Sequence, residues 1–229
     1  MTALRSLLFL AWFAALSLLM SLTLWPLLVS RTATVWLSRT WARATLWGLK
    51  VFADIRFEVR GTPPTGPVLV ASKHMSMWDT LALFLVLDRP SIVLKRELLY
   101  IPFYGWFLWR AAAIPIDRSA GASALRKMSQ AARQALAEGR PVLIFPEGTR
   151  KKPGAAPDYK PGVAGLYGLL DVPCVPAALN SGAYWTSFFK YPGTITLQFL
   201  EPIPPGLKRG EFMALLEERV ERATDALLP

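Results

Sequence analysis

A chain of 229 residues is about the size of one α/β domain with an appendage, long enough to bury a core without disulfide or metal staples. Its single cysteine, Cys174, excludes an internal disulfide, and with one histidine the usual Cys/His zinc constellations cannot be assembled, so no metal site is expected. Hydrophobic residues make up 53% of the chain and the net charge is +10, which asks for a lipid-facing surface and suits any polyanion, whether nucleic acid, anionic membrane or phosphorylated substrate.

Between Arg5 and Arg31 there is no charged residue. Ser6 to Ser30 predicts a helix of roughly 37 Å at 1.5 Å per residue, enough to cross a hydrocarbon core of about 30 Å. A cleaved secretory signal would be shorter and end in small residues, whereas "TLWPLLVSRT" is bulky. Pro26 permits a bend, so crossing the bilayer and dipping into it both stay open. From Arg31 to Lys50 there are four cations, no acids and three tryptophans, the pattern of an interfacial helix near acidic headgroups. On a helical wheel Arg31, Arg39, Arg43 and Lys50 fall within about 120° of one another. Leu37, Trp41 and Ala44 lie roughly opposite, while Trp36, Leu46 and Trp47 share the basic side. Cations follow the apolar run, which assigns the remainder of the chain to the cytoplasmic side. Residues 1–50 are thus expected to be membrane-associated helices and residues 51–229 an α/β domain.

Beyond residue 50, short β-like runs alternate with helical ones. "IRFEVRG" alternates and reads as an edge strand; "PVLVAS", "SIVLK", "AAAIPID", "PVLIFP" and "VPCVPAAL" read as buried strands, and "TITLQFLEP" alternates again. Helices are predicted over "TLALFLVL" after Asp79, over residues 122–138 ending at Gly139, and over "EFMALLEERVERATDALL". The fold class is therefore α/β, a largely parallel sheet flanked by helices, with an N-terminal hydrophobic membrane helix and a basic interfacial helix.

In "ASKHMSMWDT", His74 and Asp79 follow a strand and precede an apolar helix, where α/β folds present functional groups. Residues five apart diverge by about 140° on a continuous helix, so pairing them needs a turn. A carboxylate accepting the Nδ1 proton would leave Nε2 free to take a proton from an alcohol. Alone, H-x-x-x-x-D also describes a loop histidine beside a helix-capping aspartate. "FPEGTR" places Glu147, Gly148 and Arg150 at a second strand end: Gly148 allows close backbone approach, and Arg150 offers a planar fork for phosphate. Lys95 and Arg118 end or follow two further strands. If the sheet is parallel these ends share one side and make one basic pocket. Cys174, within "VPCVPA", reads as a small buried thiol, and no G-x-S-x-G elbow is present for a serine nucleophile.

Four ordered blocks, "KHMSMWD", "LKRELLYIPFYGW…IPIDR", "FPEGTR" and "VPCVPAALNSG", span residues 73 to 182, and on them the sequence resembles the 1-acylglycerol-3-phosphate acyltransferase family. The resemblance implies transfer of an acyl chain from acyl-CoA or acyl-ACP to the sn-2 hydroxyl of lysophosphatidic acid, making phosphatidic acid in phospholipid biosynthesis without a cofactor. It implies that His74 and Asp79 form the catalytic dyad, that Lys95, Arg118 and Arg150 contribute to the phosphate site, and that Glu147 and Gly148 shape the glycerol site. The partners implied are the two substrates, membrane lipids and, for an ACP donor, acyl carrier protein. Lys73 departs from the asparagine many relatives carry there, which bears on acceptor specificity. An acyltransferase for another lysolipid, such as a lyso-ornithine lipid, is the nearest rival. A non-catalytic module binding anionic lipid leaves the H/D and FPEGTR blocks without a purpose, and no nucleic-acid motif is present.

Overall fold

The charge-free start of the chain is helical. α1 (Thr2–Thr23) and α2 (Arg31–Gly48) lie side by side. Trp12 Nε1 donates to the Ala44 carbonyl at 3.1 Å, Trp41 Nε1 donates to Ser17 Oγ at 3.0 Å, and Met20 packs on Leu37. This computed structural model describes residues 1–23, 30–102, 104–117 and 121–229; the bend expected at Pro26 falls outside them. α1 is long and apolar enough over Thr2–Leu22 to cross a membrane, and Leu4, Leu7, Leu8, Leu18 and Leu22 on it are exposed.

α2 buries Leu37, Ala42 and Leu46 and exposes Trp36 and Trp47. The wheel misplaces two side chains. Leu46, assigned to the basic side, is in the core, and Arg39, assigned to the same side facing the headgroups, turns inward. Its guanidinium donates to the carbonyls of Phe84, Leu85 and Leu87 at 3.0, 2.8 and 3.3 Å. These close α3 (Met77–Val86), whose last carbonyls have no partner within the helix and whose negative end favours a cation. A single turn of π-helix, Leu49–Ala53, then leads into the sheet.

The predicted strands form as β1 (Ile55–Arg60), β2 (Leu69–Ser72), β3 (Ser91–Lys95), β4 (Ile114–Ile116), β5 (Val142–Ile144), β6 (Cys174–Leu179) and β7 (Gly193–Phe199). Their order in the sheet is β1-β7-β6-β2-β5-β3-β4. β2 to β6 pair in parallel, whereas β7 pairs antiparallel with β6 and parallel with β1. α4 (Tyr104–Arg110), α5 (Gly121–Ala137), α6 (Gly162–Leu170), α7 (Ser181–Tyr184) and α8 (Arg209–Leu227) complete the chain. α5 ends as its glycine predicts: Gly139 has φ +72°, and the Arg140 N–H returns to the Ala135 carbonyl.

Central β2 is buried on both faces, and its period of two sorts the core. Leu69 and Ala71 pack with Met128, Val163, Leu166 and Phe212 from α5, α6 and α8. Val70 faces the opposite layer, one continuous cluster running from Phe9 through Leu46 and Leu49 to Trp78 and Leu83. Because β2 to β6 are parallel, their C-terminal ends all open on one edge of the sheet, where ligands bind in open α/β folds.

Candidate active site

The chain leaves β2 at Ser72 and must start α3 within a few residues, which determines how Asp79 is used. Ser76 is the N-cap: its Oγ accepts from Trp78 N–H at 3.1 Å, and Asp79, three positions on, accepts from Ser76 N–H at 2.8 Å, a reciprocal capping box. The same carboxylate oxygen, Oδ2, accepts from Met75 N–H at 2.6 Å and meets His74 Nδ1 at 2.9 Å. The turn between strand and helix therefore brings together two residues a helix would separate. An ionised carboxylate only accepts, so Nδ1 carries the proton and the Nε2 lone pair is free for a proton from elsewhere.

The surroundings hold this arrangement. Asp79 is fully buried, and the His74 side chain is 13% exposed, so the imidazole is the part of the pair that reaches solvent. Its ring stacks on Phe145 with centroids 4.0 Å apart, and its carbonyl accepts from Lys151 N–H at 2.9 Å. Asp79 Oδ1 accepts from the Ser181 hydroxyl and from Ser76 Oγ at 3.2 Å, and Ser76 Oγ lies 2.8 Å from Ser181 Oγ. Ser181 comes from the VPCVPAALNSG block, which contains β6 and to which the sequence assigned no role. Removing its hydroxyl leaves one oxygen of a buried carboxylate short of a donor. Ser181→Ala is expected to cost about 1–3 kcal/mol in stability, read as a lower thermal midpoint, with a smaller loss of turnover than any change at His74.

Lys73 points into the protein. Its ammonium donates to Glu147 Oε1 at 3.0 Å and to both oxygens of Glu221, on α8, at 2.8 Å. The Tyr159 hydroxyl donates to Glu221 Oε1 at 2.8 Å; burial, with Glu221 beside it, pushes that phenol up and keeps it a donor. Burial also holds the Glu147 carboxyl above the usual range for glutamate, with Lys73 pulling the other way, and its Oε2 has no hydrogen-bond partner among the described residues. The cluster ties the His74 loop, the FPEGTR turn and the last helix through three charges.

The FPEGTR segment turns as its glycine requires. Gly148 has φ +64°, and its N–H returns to the Phe145 carbonyl at 2.9 Å. This puts Glu147 inside, in the Lys73 cluster, and Arg150 outside, exposed and near Tyr104 on α4, whose partly desolvated phenol is pushed up while the Arg150 charge pulls the other way. β5 is the neighbour of β2, so His74, Glu147 and Gly148 belong to one pair of strand ends. Lys95 ends β3, two strands from β2 or about 10 Å at normal strand spacing, and its ammonium is exposed and 3.4 Å from Glu97. Arg118 lies outside the described residues. Cys174 is fully buried, and burial pushes its thiol up, which removes it as a nucleophile. Among the described residues no group of three metal-ligating side chains occurs.

Comparison with known proteins bears on the same block. Residues 55–180 match the model of the family described as Acyltransferase, so the chain belongs to the acyltransferase family and is an enzyme of that class. The relatives narrow the class, as the sequence blocks implied. A 1-acyl-sn-glycerol-3-phosphate acyltransferase of Pseudomonas aeruginosa is 41% identical over 174 residues, covering 74% of this chain and 68% of its own. The alpha form of the same enzyme from Mus musculus is 36% identical over 169 residues, covering 70% and 59%. The crystal structure of an acyltransferase for 1-acyl-sn-glycerophosphate from Thermotoga maritima superposes with a TM-score of 0.78 at 20% identity, over 99% of this chain and 98% of that one. At that identity the likeness concerns the fold.

Proposed function

We propose that this enzyme transfers an acyl chain from an acyl thioester, acyl-CoA or acyl-ACP, to the free sn-2 hydroxyl of 1-acyl-sn-glycerol 3-phosphate. The observation that carries the reading is the His74–Asp79 pair, held by Nδ1 with Nε2 free beside the FPEGTR turn. His74 Nε2 takes the hydroxyl proton as the oxygen attacks the thioester carbonyl, and the imidazolium returns that proton to the departing thiolate. Asp79 keeps the ring in one tautomer and steadies its charged form during the step. Transfer is direct. Arg150, Arg118 and Lys95 are proposed to meet the acceptor phosphate, and Glu147, set behind Gly148, to support the turn against the glycerol. The activity for which the relatives are named supports the acceptor.

The membrane reading is part of the proposal. α1 is tied to the rest of the protein at both ends: Arg5 pairs with Asp54 at 3.7 Å and Ser6 Oγ accepts from Lys190 N–H at 2.9 Å, while Met20 packs with Leu37 near Phe107. Such ties favour a helix seated along the interface over one that crosses it, with the α/β part on the cytoplasmic side. The amphiphilic substrates then meet the site without leaving the bilayer, at a saving of about 0.8 kcal/mol per CH₂.

The test is acyl-thioester-dependent acylation of a panel of lysolipids by purified protein, with 1-acyl-sn-glycerol 3-phosphate expected to be preferred; preference for an acceptor without phosphate would overturn the assignment. Within that panel, Arg150→Ala is expected to lower kcat/KM for the phosphorylated acceptor roughly 10- to 150-fold, the loss of a charged hydrogen bond of about 1.5–3 kcal/mol. Arg150→Lys should restore only part, because the planar fork is gone. Unchanged discrimination between the acceptor and its uncharged analogue would remove Arg150 from the phosphate site.

A further inference from the structure

Residues 184–191, YWTSFFKY, form a closed loop ahead of β7. Surface loops are ordinarily polar, yet this one exposes Phe188, Phe189 and Tyr191 at 44, 42 and 42% and fully buries its only charge, Lys190. The lysine accounts for the shape. Its ammonium donates to the carbonyls of Thr186, Ser187 and Phe188 at 3.2, 3.1 and 3.0 Å, and it sits 5.3 Å from the Trp185 ring centre and 5.9 Å from that of Phe9. The N–H and hydroxyl of Thr186 both donate to the Phe189 carbonyl, at 3.1 and 2.8 Å, and Tyr191 N–H donates to the Tyr184 carbonyl at 2.8 Å. Much of the loop's polarity is spent internally, and the rings turn out. Phe188 and Phe189 meet edge to face at 5.1 Å, with Tyr191 6.1 Å from Phe189, so the three make one patch.

The patch continues an apolar surface already described. Lys190 N–H donates to Ser6 Oγ, and Phe9 meets Trp185 edge to face at 5.3 Å, so the loop is docked on the first turns of α1, which expose Leu4, Leu7 and Leu8. Arg5, paired with Asp54, puts a half-exposed cation at the same end, as at a headgroup layer. Phenyl rings with a tyrosine hydroxyl at their rim suit that layer, where an apolar body and a polar tip are both satisfied. Three side chains less than half exposed fall well short of the roughly 800 Å² per partner that a stable protein interface buries.

We propose that the loop 184–191 is a second lipid-contacting element, which places Phe188, Phe189 and Tyr191 in the boundary between headgroups and acyl chains beside the start of α1. The proposal rests on the reading that α1 is seated in the membrane. The loop continues from α7, which begins at Ser181, the residue that bonds Asp79. Two lipid contacts, α1 and the loop, fix how the enzyme is rotated against the bilayer, and the second begins three residues after Ser181, the support of the dyad.

The experiment uses the full chain with Phe188→Cys, labelled with an environment-sensitive fluorophore; Cys174 is buried and does not react in the folded protein. Leu8→Cys reports on α1, and Gln130→Cys, on the exposed face of α5, on water. With vesicles of phosphatidylethanolamine and phosphatidylglycerol carrying brominated acyl chains, labels at 188 and 8 are expected to be quenched several-fold more than the label at 130. Quenching at 8 but not at 188 overturns the loop proposal and leaves α1 in the membrane; quenching at neither overturns both. A label at 188 shielded without vesicles, in a protein that elutes as a dimer, assigns the patch to a second copy and overturns the proposal. In parallel, Phe188→Ser/Phe189→Ser is expected to lose rate several-fold on long-chain substrate in vesicles while keeping its rate on short-chain soluble substrates; equal rates on both count against it.

Discussion

Replacing His74 with alanine is expected to lower turnover at least about 10²-fold, the lower end for loss of a general base, with the fold retained. The side chain is at the surface of the site rather than in the core, and the capping box that starts α3 is made by Ser76 and Asp79 without it. Asp79→Asn should be as severe or worse, up to about 10⁴-fold where an amide fixes the wrong tautomer. Its second effect separates the two residues. An amide nitrogen in the place of Oδ2 cannot accept from Met75 N–H and Ser76 N–H, and in the place of Oδ1 it cannot accept from Ser181 Oγ, so in either orientation Asp79→Asn also lowers the thermal midpoint, whereas His74→Ala leaves it nearly unchanged. Turnover near wild type in a folded His74→Ala protein would end the proposed mechanism.

Lys73→Met is expected to destabilise the protein by about 3–5 kcal/mol at neutral pH, because it leaves Glu147 and Glu221 facing each other without the cation between them. The sign of the pH dependence follows from Glu147. Its carboxyl is already held above the ordinary value by burial, and loss of Lys73 removes the pull that opposes this. A carboxyl raised in the folded state is stabilised by its proton, so its favourable contribution is complete below the unfolded value near pH 4.5 and is lost as pH rises through the folded one. The gap between variant and wild type should therefore be widest at pH 7 to 8 and narrow on acidification. Lys73→Met/Glu147→Gln should recover part of the loss. Chemical denaturation at two pH values checks this, and a constant gap would exclude Glu147 as its source.

All seven strands were legible, five from short apolar runs bounded by turn residues and β1 and β7 from their alternation, and His74, Asp79 and the FPEGTR turn were legible because strand ends are where such a sheet presents side chains. The helices that escaped notice have physical reasons to. α6 carries Gly162, Gly165 and Gly168, poor helix formers, and at Gly165 the missing side chain leaves room for the Leu125 methyl, 2.8 Å from where a Cβ would stand. Arg39 went to the wrong side because a wheel records only its own helix, and the carbonyls it serves are 45 to 48 residues away. Ser181 and Glu221 carry no local mark: one supports Asp79 across 102 residues, the other meets Lys73 across 148. What the sequence displayed as motif is the edge of the site proposed to react, and what it concealed is the bracing behind it.

That last separation has a consequence for how the protein is made. At ribosomal rates of about 5–20 residues per second, Glu221 follows Lys73 by roughly 7–30 s. For that interval the lysine has at most Glu147 for company, and α8 is missing from the layer it completes. α1 leaves the ribosome ahead of the sheet it packs on. On the proposal that α1 is seated on lipid, that seating begins on the nascent chain, while the bridge from Lys73 to Glu221 closes only when α8 docks.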